Sequence, residues 1–175
     1  MEAVILTGGA SRRMGSDKAT LLVEGQPMAV RIAHELLNAG LPVTVLGRDP
    51  LADCAFIEDA EEHQGPLSAL RRFVPSKAFV FVASCDMPLF RAEVVTQLQS
   101  AIGEHEAALP VLDSRRQPLC GLYRASAFEK MRDLSSQRMM DWIALLDVAD
   151  VTMQPENLVR SCNTPEELRA LESGP

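Results

Sequence analysis

The sequence has little of what marks a secreted or membrane-spanning protein. It holds only four cysteines among 175 residues, and no two of them have the short spacing of a zinc or redox motif. Because disulfide frameworks belong to smaller secreted chains, a cytoplasmic location is expected. No apolar run reaches the roughly 18 residues that a membrane-spanning helix needs. The opening segment Met1–Thr7, with its acidic Glu2, does not resemble a signal or transit peptide.

Positive charge is also scarce. The chain has 17 Lys and Arg against 24 Asp and Glu, which gives a formal net charge of −7. Such a chain repels nucleic acid and anionic membranes, so neither is expected as a partner, and a basic site for an anionic ligand has to be local. The hydrophobic content of 47% is ordinary for a globular protein, and the length suits one domain covering residues 1–175.

Apolar runs alternate with segments of helical period along the chain. Strands are predicted at 3–7, 43–46 and 79–83, and more weakly at 109–112, 119–123 and 148–153. The run 79–83 is apolar at every position, which is typical of a strand buried on both faces of a parallel sheet. Helices are predicted between the strands, with stops at Gly40 and Gly103. This alternation predicts an α/β fold with a mostly parallel sheet and helices on both faces.

Local signals predict two helix starts and one group of core side chains. Capping boxes are predicted at Ser126, with Glu129, and at Thr164, with Glu167. The helical spacing of residues 139, 140 and 142 with Leu145 and Leu146 favours packing in the core over contact with a cofactor.

The first predicted strand is followed by a loop that combines two glycines with three cations. Gly8 and Gly9 let the backbone approach a ligand and point amide groups at it. Arg12, Arg13 and Lys18 follow within the same loop. Because ligands of such sheets bind beyond the carboxyl ends of the strands, the loop is predicted to bind a polyphosphate. The alternative is a solvated loop that happens to be basic.

Two common phosphate-binding motifs do not fit this loop. A Walker A motif has four residues between its first Gly and a Gly-Lys-Ser/Thr, whereas five residues separate Gly9 from Gly15, and Ala19 follows Lys18. The spacing of the dinucleotide fingerprint is absent too. Neither an ordinary P-loop NTPase nor a nicotinamide or flavin dehydrogenase is indicated.

Two carboxylates follow predicted strands. Asp86 lies just past the run 79–83, where it suits Mg²⁺, an ion usually held by one or two carboxylates and substrate phosphates. The alternative is an Asp that caps the next helix or turn. Asp59 closes the strand-like segment 55–58, so it could accept hydrogen bonds from a base or ribose. Most of the acidic stretch around Asp59 is expected to be solvated surface.

Taken in order, several segments resemble the molybdenum cofactor nucleotidyltransferases. They are Leu6-Thr7-Gly8-Gly9, Ser11-Arg12-Arg13-Met14-Gly15 with Asp17-Lys18, Asp59 with Gly65-Pro66-Leu67, Cys85-Asp86-Met87-Pro88, Gln117-Pro118-Leu119 and Asn163-Thr164-Pro165-Glu166. The resemblance covers nearly the whole chain. It implies the three-layer α/β/α, Rossmann-like fold of the nucleotide-diphospho-sugar transferases, with a mixed, mostly parallel sheet.

The resemblance also implies a reaction. GTP and metal-loaded molybdopterin would give the guanine dinucleotide cofactor and pyrophosphate, with Mg²⁺ as cofactor. Transient contact with cofactor insertion proteins or molybdoenzymes is a further expectation. The nucleotide-binding residues would be Leu6, Thr7, Gly8, Gly9, Lys18, Asp59 and Asp86, of which Asp86 would also bind Mg²⁺.

No protein nucleophile is needed for this reaction, because the acceptor's terminal phosphate attacks the α-phosphorus. Positioning and neutralisation of charge supply most of the catalysis. Arg13 and Lys18 would stabilise the leaving pyrophosphate, so these two residues and Asp86 are the predicted catalytic set.

The sequence leaves alternatives open and departs from the family pattern in places. The alternatives are the cytidylyl branch of the family, a sugar-1-phosphate nucleotidyltransferase, and a non-catalytic nucleotide- or cofactor-binding chaperone. Gly8 favours guanine, because cytidylyl relatives tend to have Ala there, and Gln117 with the two residues after it favours the same branch. Thr7 replaces the usual Ala, and Ser161 stands where the family often has Asn.

Overall fold

The computed structural model describes residues 1–7, 22–23, 25–58, 65–162 and 164–173. Its strands are β1 (Glu2–Leu6), β2 (Leu22–Val23), β3 (Gln26–Pro27), β4 (Val43–Gly47), β5 (Ala55–Glu58), β6 (Phe79–Ser84), β7 (Ala107–Leu112), β8 (Arg115–Arg116), β9 (Cys120–Arg124) and β10 (Val148–Val151). Its helices are α1 (Met28–Asn38), α2 (Pro66–Arg71), α3 (Glu93–Ala101), α4 (Ala125–Arg132), α5 (Met139–Ile143) and α6 (Pro165–Ser173), with a 3₁₀ helix at Glu156–Val159.

The central sheet is mixed, and its strands follow the order β10-β7-β9-β6-β1-β4-β5, with β8 paired to β7. The strands β6, β1, β4 and β5 run parallel to one another, and β10 runs parallel to β7. In contrast, β9 runs antiparallel to both of its neighbours, β6 and β7. The predicted mostly parallel sheet is therefore confirmed.

Helices cover both faces of this sheet. On one face, Ala3 and Ile5 of β1 pack in a cluster with side chains of α1 and α3, such as Ile32 and Leu98. On the other face, side chains of α2, α4 and α5 form a second cluster around the alternate residues of β1 and β6. Successive residues of a strand point to opposite faces, so each buried strand contributes to both clusters. The three-layer α/β/α arrangement predicted from the sequence is thus confirmed.

The observed bounds of the strands and helices can be compared with the predicted strands, helix ends and capping boxes. All three strong strand predictions are confirmed within one or two residues, and α1 ends just before Gly40, whose φ is +79°. Thr164 caps α6, because its Oγ1 accepts the Glu167 amide at 3.1 Å. The capping box at Ser126 is wrong: β9 leads directly into α4, so Arg124 is the N-cap residue and no side chain caps the helix.

Two further expectations concern the chain as a whole. None of the four cysteines forms a disulfide bond. Among the described helices, none has both the length and the apolar character needed to cross a bilayer. The assignment of residues 1–175 to a single domain stays a prediction.

Gly121 in β9 is a position of close packing. A Cβ atom there would lie 2.4 Å from Leu109 Cδ2 and 2.9 Å from Tyr123 Cε2. The Tyr123 ring, which is fully buried, stacks on Trp142 with 4.7 Å between ring centroids. Its hydroxyl donates to the Pro118 carbonyl at 2.6 Å. The missing side chain at 121 therefore lets Tyr123 lie over the strand and hold the segment that leads into it.

We expect Gly121→Ala to lower the free energy of unfolding by about 1–3 kcal/mol, because the added methyl group overfills a packed site. Urea denaturation measures the change. Leu109→Ala removes one of the clashing groups, so the double variant should lose less stability than the two single variants together. Strict additivity, or wild-type stability of Gly121→Ala, would contradict this account of the packing.

Candidate functional site

The candidate site lies at the edge of the sheet where β1, β4 and β6 end together. In the strand register, Leu6 pairs with Leu46 on one side and with Ser84 on the other. The next residue, Thr7, donates its amide and its hydroxyl to the Leu46 carbonyl, at 2.9 and 3.4 Å. The side chain of Leu6 is buried in the core, so Leu6 and Thr7 mark this edge mainly through their backbone.

The antiparallel direction of β9 brings a second segment to the same edge. Because β9 starts where β6 ends, Cys120 pairs with Ala83, and the Ser84 amide donates to the Leu119 carbonyl at 2.7 Å. The residues that lead into β9, including Gln117, therefore lie beside the end of β6.

Asp86 lies two residues beyond β6 and is held from two sides. The Ser84 hydroxyl donates to Oδ1 of Asp86 at 2.7 Å, and the Cys162 amide donates to its backbone carbonyl at 2.8 Å. The residue is half-buried. Asp86 does not cap a helix, because α3 begins only at Glu93 and has Ala92 as its N-cap residue. The carboxylate is thus oriented by its own loop.

The donor set around Asp86 fits Mg²⁺. Among the described residues, nothing donates a hydrogen bond to Oδ2 of Asp86, and no group of three or more His, Cys, Asp or Glu side chains gathers to enclose a metal ion. A lone carboxylate with one oxygen unbonded by the described residues suits a hard cation that keeps waters and takes its other ligands from substrate phosphates. Thiol- and imidazole-rich sites that favour zinc are not what these residues form.

A cavity of about 280 Å³ opens beside Asp86. The residues that line it include Ser84, Asp86, Gln117, Leu119, Met139, Val159 and Ser161. Apolar side chains therefore form much of the wall, and a few polar groups lie among them. This composition is typical of a small-molecule site in which the polar groups fix the orientation of the ligand.

Cys120 lines this cavity and is buried. Burial, and secondarily the negative charge of Asp86, raise the pKa of the Cys120 thiol far above its ordinary value. The thiol therefore stays protonated at neutral pH, and a thiol of this kind is a poor nucleophile. The geometry does not favour Cys120 as the attacking group of a covalent mechanism.

Arg71 holds the segment that precedes α5. Its guanidinium donates to the carbonyl oxygens of Met131, at 3.3 Å, and Ser136, at 2.7 Å, and also to the Leu134 carbonyl. It reaches the Gln137 amide oxygen at 3.2 Å as well. These bonds fix the approach to α5, whose first residue lines the cavity.

The residues predicted from the sequence fall into two groups. The structure brings Leu6, Thr7 and Asp86 to the same edge of the sheet. The other candidates lie outside the described residues, and their roles stay predictions: Gly8, Gly9, Arg13, Lys18 and Asp59. The strand β5 ends at Glu58, immediately before Asp59 in the sequence, and its register with β4 places that end at the same edge.

Several contributors to the site leave no recognisable signal in the sequence. Ser84 gave no signal beyond its position two residues before Asp86. Its hydroxyl reaches the Asp86 carboxylate only because the loop after β6 folds back toward the end of that strand. Met139 was interpreted as core, and it does pack with the second cluster while also lining the cavity. Met140 and Leu145, also expected in the core, are exposed. Arg71 gave no signal, because its partners are backbone carbonyls distant in sequence.

The sequence is similar to those of known transferases. A family model described as the MobA-like NTP transferase domain matches residues 3–151. A probable molybdenum cofactor guanylyltransferase of Mycolicibacterium paratuberculosis is 31% identical, covering 98% of this chain and 94% of the relative. A protein of the same name from Nostoc sp. is 28% identical, with 98% and 90% covered.

Solved structures share the fold at lower identity. Molybdopterin-guanine dinucleotide biosynthesis protein A from Archaeoglobus fulgidus superposes with a TM-score of 0.77 at 21% identity, covering 99% of this chain and 97% of that one. The 2-C-methyl-D-erythritol 4-phosphate cytidylyltransferase from Thermus thermophilus gives 0.72 at 18% identity, with 99% and 98% covered. Because both a guanine-dinucleotide protein and a cytidylyltransferase have this fold, the fold alone does not select the base.

The Arg71 contacts give a testable prediction with a matched control. Arg71→Gln should lower the free energy of unfolding by about 2 kcal/mol or more, because several carbonyl groups lose a charged donor. The exposed neighbour variant Arg72→Gln makes the same change in charge and should stay within about 0.5 kcal/mol of the wild type. Hydrogen exchange should speed up at residues 134–143 in the first variant only. Equal effects of the two variants would contradict the role of Arg71.

Proposed function

The chain belongs to the MobA-like NTP transferase domain family and is a nucleotidyltransferase, and from that premise we propose that it transfers GMP from GTP to the phosphate of metal-loaded molybdopterin. The products are the guanine dinucleotide cofactor and pyrophosphate. The observation that carries the proposal is the placement of Asp86, oriented by Ser84, beside a cavity at the carboxyl edge of the sheet. The guanylyltransferase names of the full-length relatives support the choice of nucleotide and acceptor.

Mg²⁺ is the proposed cofactor, with Asp86 as its protein ligand. When bound, the ion would supply positive charge that offsets the negative charge developing on the leaving pyrophosphate. The role of Ser84 is to donate to one carboxylate oxygen of Asp86 and leave the other available. This contact fixes the direction of the carboxylate before the nucleotide arrives.

The nucleotide contacts form the second part of the proposal. Gly8 and Gly9 contribute backbone amides, and Asp59 accepts hydrogen bonds from the base or ribose. Lys18 and Arg13 neutralise the phosphates and stabilise the departing pyrophosphate. The Thr7 amide already donates to the Leu46 carbonyl of β4, so it does not donate a hydrogen bond to the nucleotide.

In the proposed reaction, GMP passes directly to the acceptor. An oxygen of the acceptor's terminal phosphate attacks the α-phosphorus of GTP, a new P–O bond forms, and the bond from the α-phosphorus to the bridging oxygen breaks. The acceptor lies in the cavity beside Asp86. The protonated Cys120 thiol in the cavity wall supports a direct transfer over a covalent enzyme intermediate.

A second candidate function is cytidylyl transfer to the same acceptor, since a cytidylyltransferase has the same fold. The guanylyl assignment is preferred because the relatives that cover nearly the full chain carry guanylyltransferase names. We further propose that the protein acts in the cytoplasm and passes its product on through transient contact with insertion proteins or molybdoenzymes.

Asp86→Asn is expected to lower turnover by orders of magnitude while the fold persists, because it removes the charge that holds Mg²⁺. Ser84→Ala should raise the Mg²⁺ concentration needed for half-maximal rate by about tenfold, since outer-shell partners tune metal affinity. Excess Mg²⁺ should restore the Ser84→Ala rate but not that of Asp86→Asn.

Ser100→Ala is the control for these variants, because Ser100 is exposed and its hydroxyl donates to the Thr96 carbonyl within α3. Thermal melting checks that each variant folds. A wild-type rate for Asp86→Asn with Mg²⁺ would refute the assignment of Asp86. If Ser84→Ala and Ser100→Ala need the same Mg²⁺ concentration for half-maximal rate, Ser84 has no role in holding the metal-binding carboxylate.

Base choice is tested by thermal-shift titrations with Mg²⁺ and either GTP or CTP. Guanine presents O6 as an acceptor and N1–H and N2–H₂ as donors, so a pocket built for that edge leaves polar groups unpaired when CTP enters. Each orphaned group costs about 1–3 kcal/mol, and two of them give a discrimination on the order of a hundredfold or more. We therefore expect stabilisation by GTP at much lower concentrations than by CTP. Equal or stronger stabilisation by CTP would mean that the protein is a cytidylyltransferase of the same family.

A further inference from the structure

A third, small cluster of buried side chains is separate from the two that flank the sheet. It contains Val23 of β2, Met28 at the start of α1, Cys162, and Leu168 of α6, with Leu171 packed against it. Among the described side chains of α6, only that of Leu168 is buried. The helix α6 is therefore docked on the rest of the protein through this cluster.

Cys162 connects the cluster to the start of α6. Its side chain is fully buried, and its thiol donates to the Thr164 carbonyl at 3.2 Å. The same carbonyl accepts the Leu168 amide at 3.1 Å, and the Thr164 hydroxyl accepts the Glu167 amide. The first turn of α6 and Cys162 therefore form one hydrogen-bonded unit, and the packing of Leu168 holds this unit in place.

The same unit reaches the loop that carries Asp86. Two of the described residues donate hydrogen bonds to Asp86: the Ser84 hydroxyl, to Oδ1 at 2.7 Å, and the Cys162 amide, to the backbone carbonyl at 2.8 Å. Ser84 is close to Asp86 in the chain, whereas Cys162 comes from just before α6. Met87, the next residue, is buried in the cluster that holds Ala3 and Ile5. Packing thus holds the loop at Met87, and the Cys162 amide holds the backbone of Asp86 itself.

We propose that α6 positions the metal-binding carboxylate, with Leu168 and Cys162 as positioning residues for Asp86. This inference rests on the proposed function, because it takes Asp86 as the ligand of Mg²⁺. The bond from Cys162 fixes the Asp86 carbonyl and with it the direction in which the side chain leaves the backbone. The Ser84 hydroxyl then fixes Oδ1. When the cluster is loosened, the carboxylate is no longer held in one direction, and outer-shell partners of this kind change metal affinity by about 10–100-fold.

The test removes apolar atoms from the cluster without touching Asp86. Leu168→Ala does so on α6, and Val23→Ala does so from β2, on the other side of the cluster. Leu168→Met keeps the volume and should behave like the wild type. The matched control is Val43→Ala, because Val43 and Val23 expose 4% and 3% of their surface. Val43 begins β4, so it lies at the opposite edge of the sheet from the site.

Metal binding is measured by titrating the protein into Mn²⁺ and GTP without an acceptor, with the EPR signal of the ion as the readout. Mn²⁺ suits the same oxygen ligands as Mg²⁺. Leu168→Ala and Val23→Ala should each weaken binding of the metal nucleotide at least fivefold. Binding of GTP in EDTA, measured by calorimetry, should change less than twofold. Val43→Ala should change neither value by more than twofold, and thermal melting verifies that every variant folds.

The bond itself is followed by hydrogen exchange at the Cys162 amide in the absence of metal. Exchange should be at least tenfold faster in Leu168→Ala and Val23→Ala than in the wild type, because the donor is released when α6 loosens. Leu168→Met and Val43→Ala should keep the wild-type rate. Excess Mg²⁺ should restore the turnover of Leu168→Ala, as expected for a residue that positions the metal ligand and does not contact substrate.

Several outcomes would overturn the inference. Equal weakening of metal binding by Val43→Ala and Val23→Ala would mean that the effect follows a general loss of stability. Wild-type exchange at Cys162 in Leu168→Ala would mean that α6 does not hold the bond. Faster exchange with wild-type Mn²⁺ binding would mean that the bond does not orient the carboxylate. By contrast, a wild-type protein that shows the expected metal effects but forms no guanine dinucleotide would contradict the proposed function and leave the role of α6 standing.

Discussion

The candidate site depends on one strand that runs against its neighbours. Because β9 is antiparallel to β6, its first residues lie where β6 ends, and the Ser84 amide bonds to the Leu119 carbonyl at 2.7 Å. That bond fixes the wall of the cavity next to the loop that carries Asp86. A parallel strand in this place would deliver the same segment to the opposite edge of the sheet. The packing of Tyr123 over Gly121 then holds the segment from behind.

Charge is distributed in a way that suits a reaction between two anions. The chain as a whole is acidic, so its general field does not favour phosphate ligands. Positive charge is concentrated instead in the loop that follows β1 in the sequence. Asp86 supplies the single carboxylate proposed to hold a divalent cation. In such a site, catalysis comes from positioning and neutralisation, so no reactive side chain is required.

The sequence predicts the frame better than the lining of the site. The fully apolar run 79–83 identified β6, and the position of Asp86 just beyond it followed from the general behaviour of parallel sheets. Helical spacing could not tell that Met139 lines a cavity, because a side chain that faces a core and one that faces a pocket give the same periodicity. Ser84 and Arg71 act through contacts made by tertiary folding, which leave no local pattern.

Our account is tested most directly by mass spectrometry of the product after the protein is incubated with GTP, Mg²⁺ and metal-loaded molybdopterin. It predicts a product that equals the acceptor plus one GMP unit, formed together with one equivalent of pyrophosphate and lost in Asp86→Asn. The account is contradicted if the acceptor stays unchanged in the presence of GTP. This holds whether or not CTP gives a cytosine dinucleotide instead.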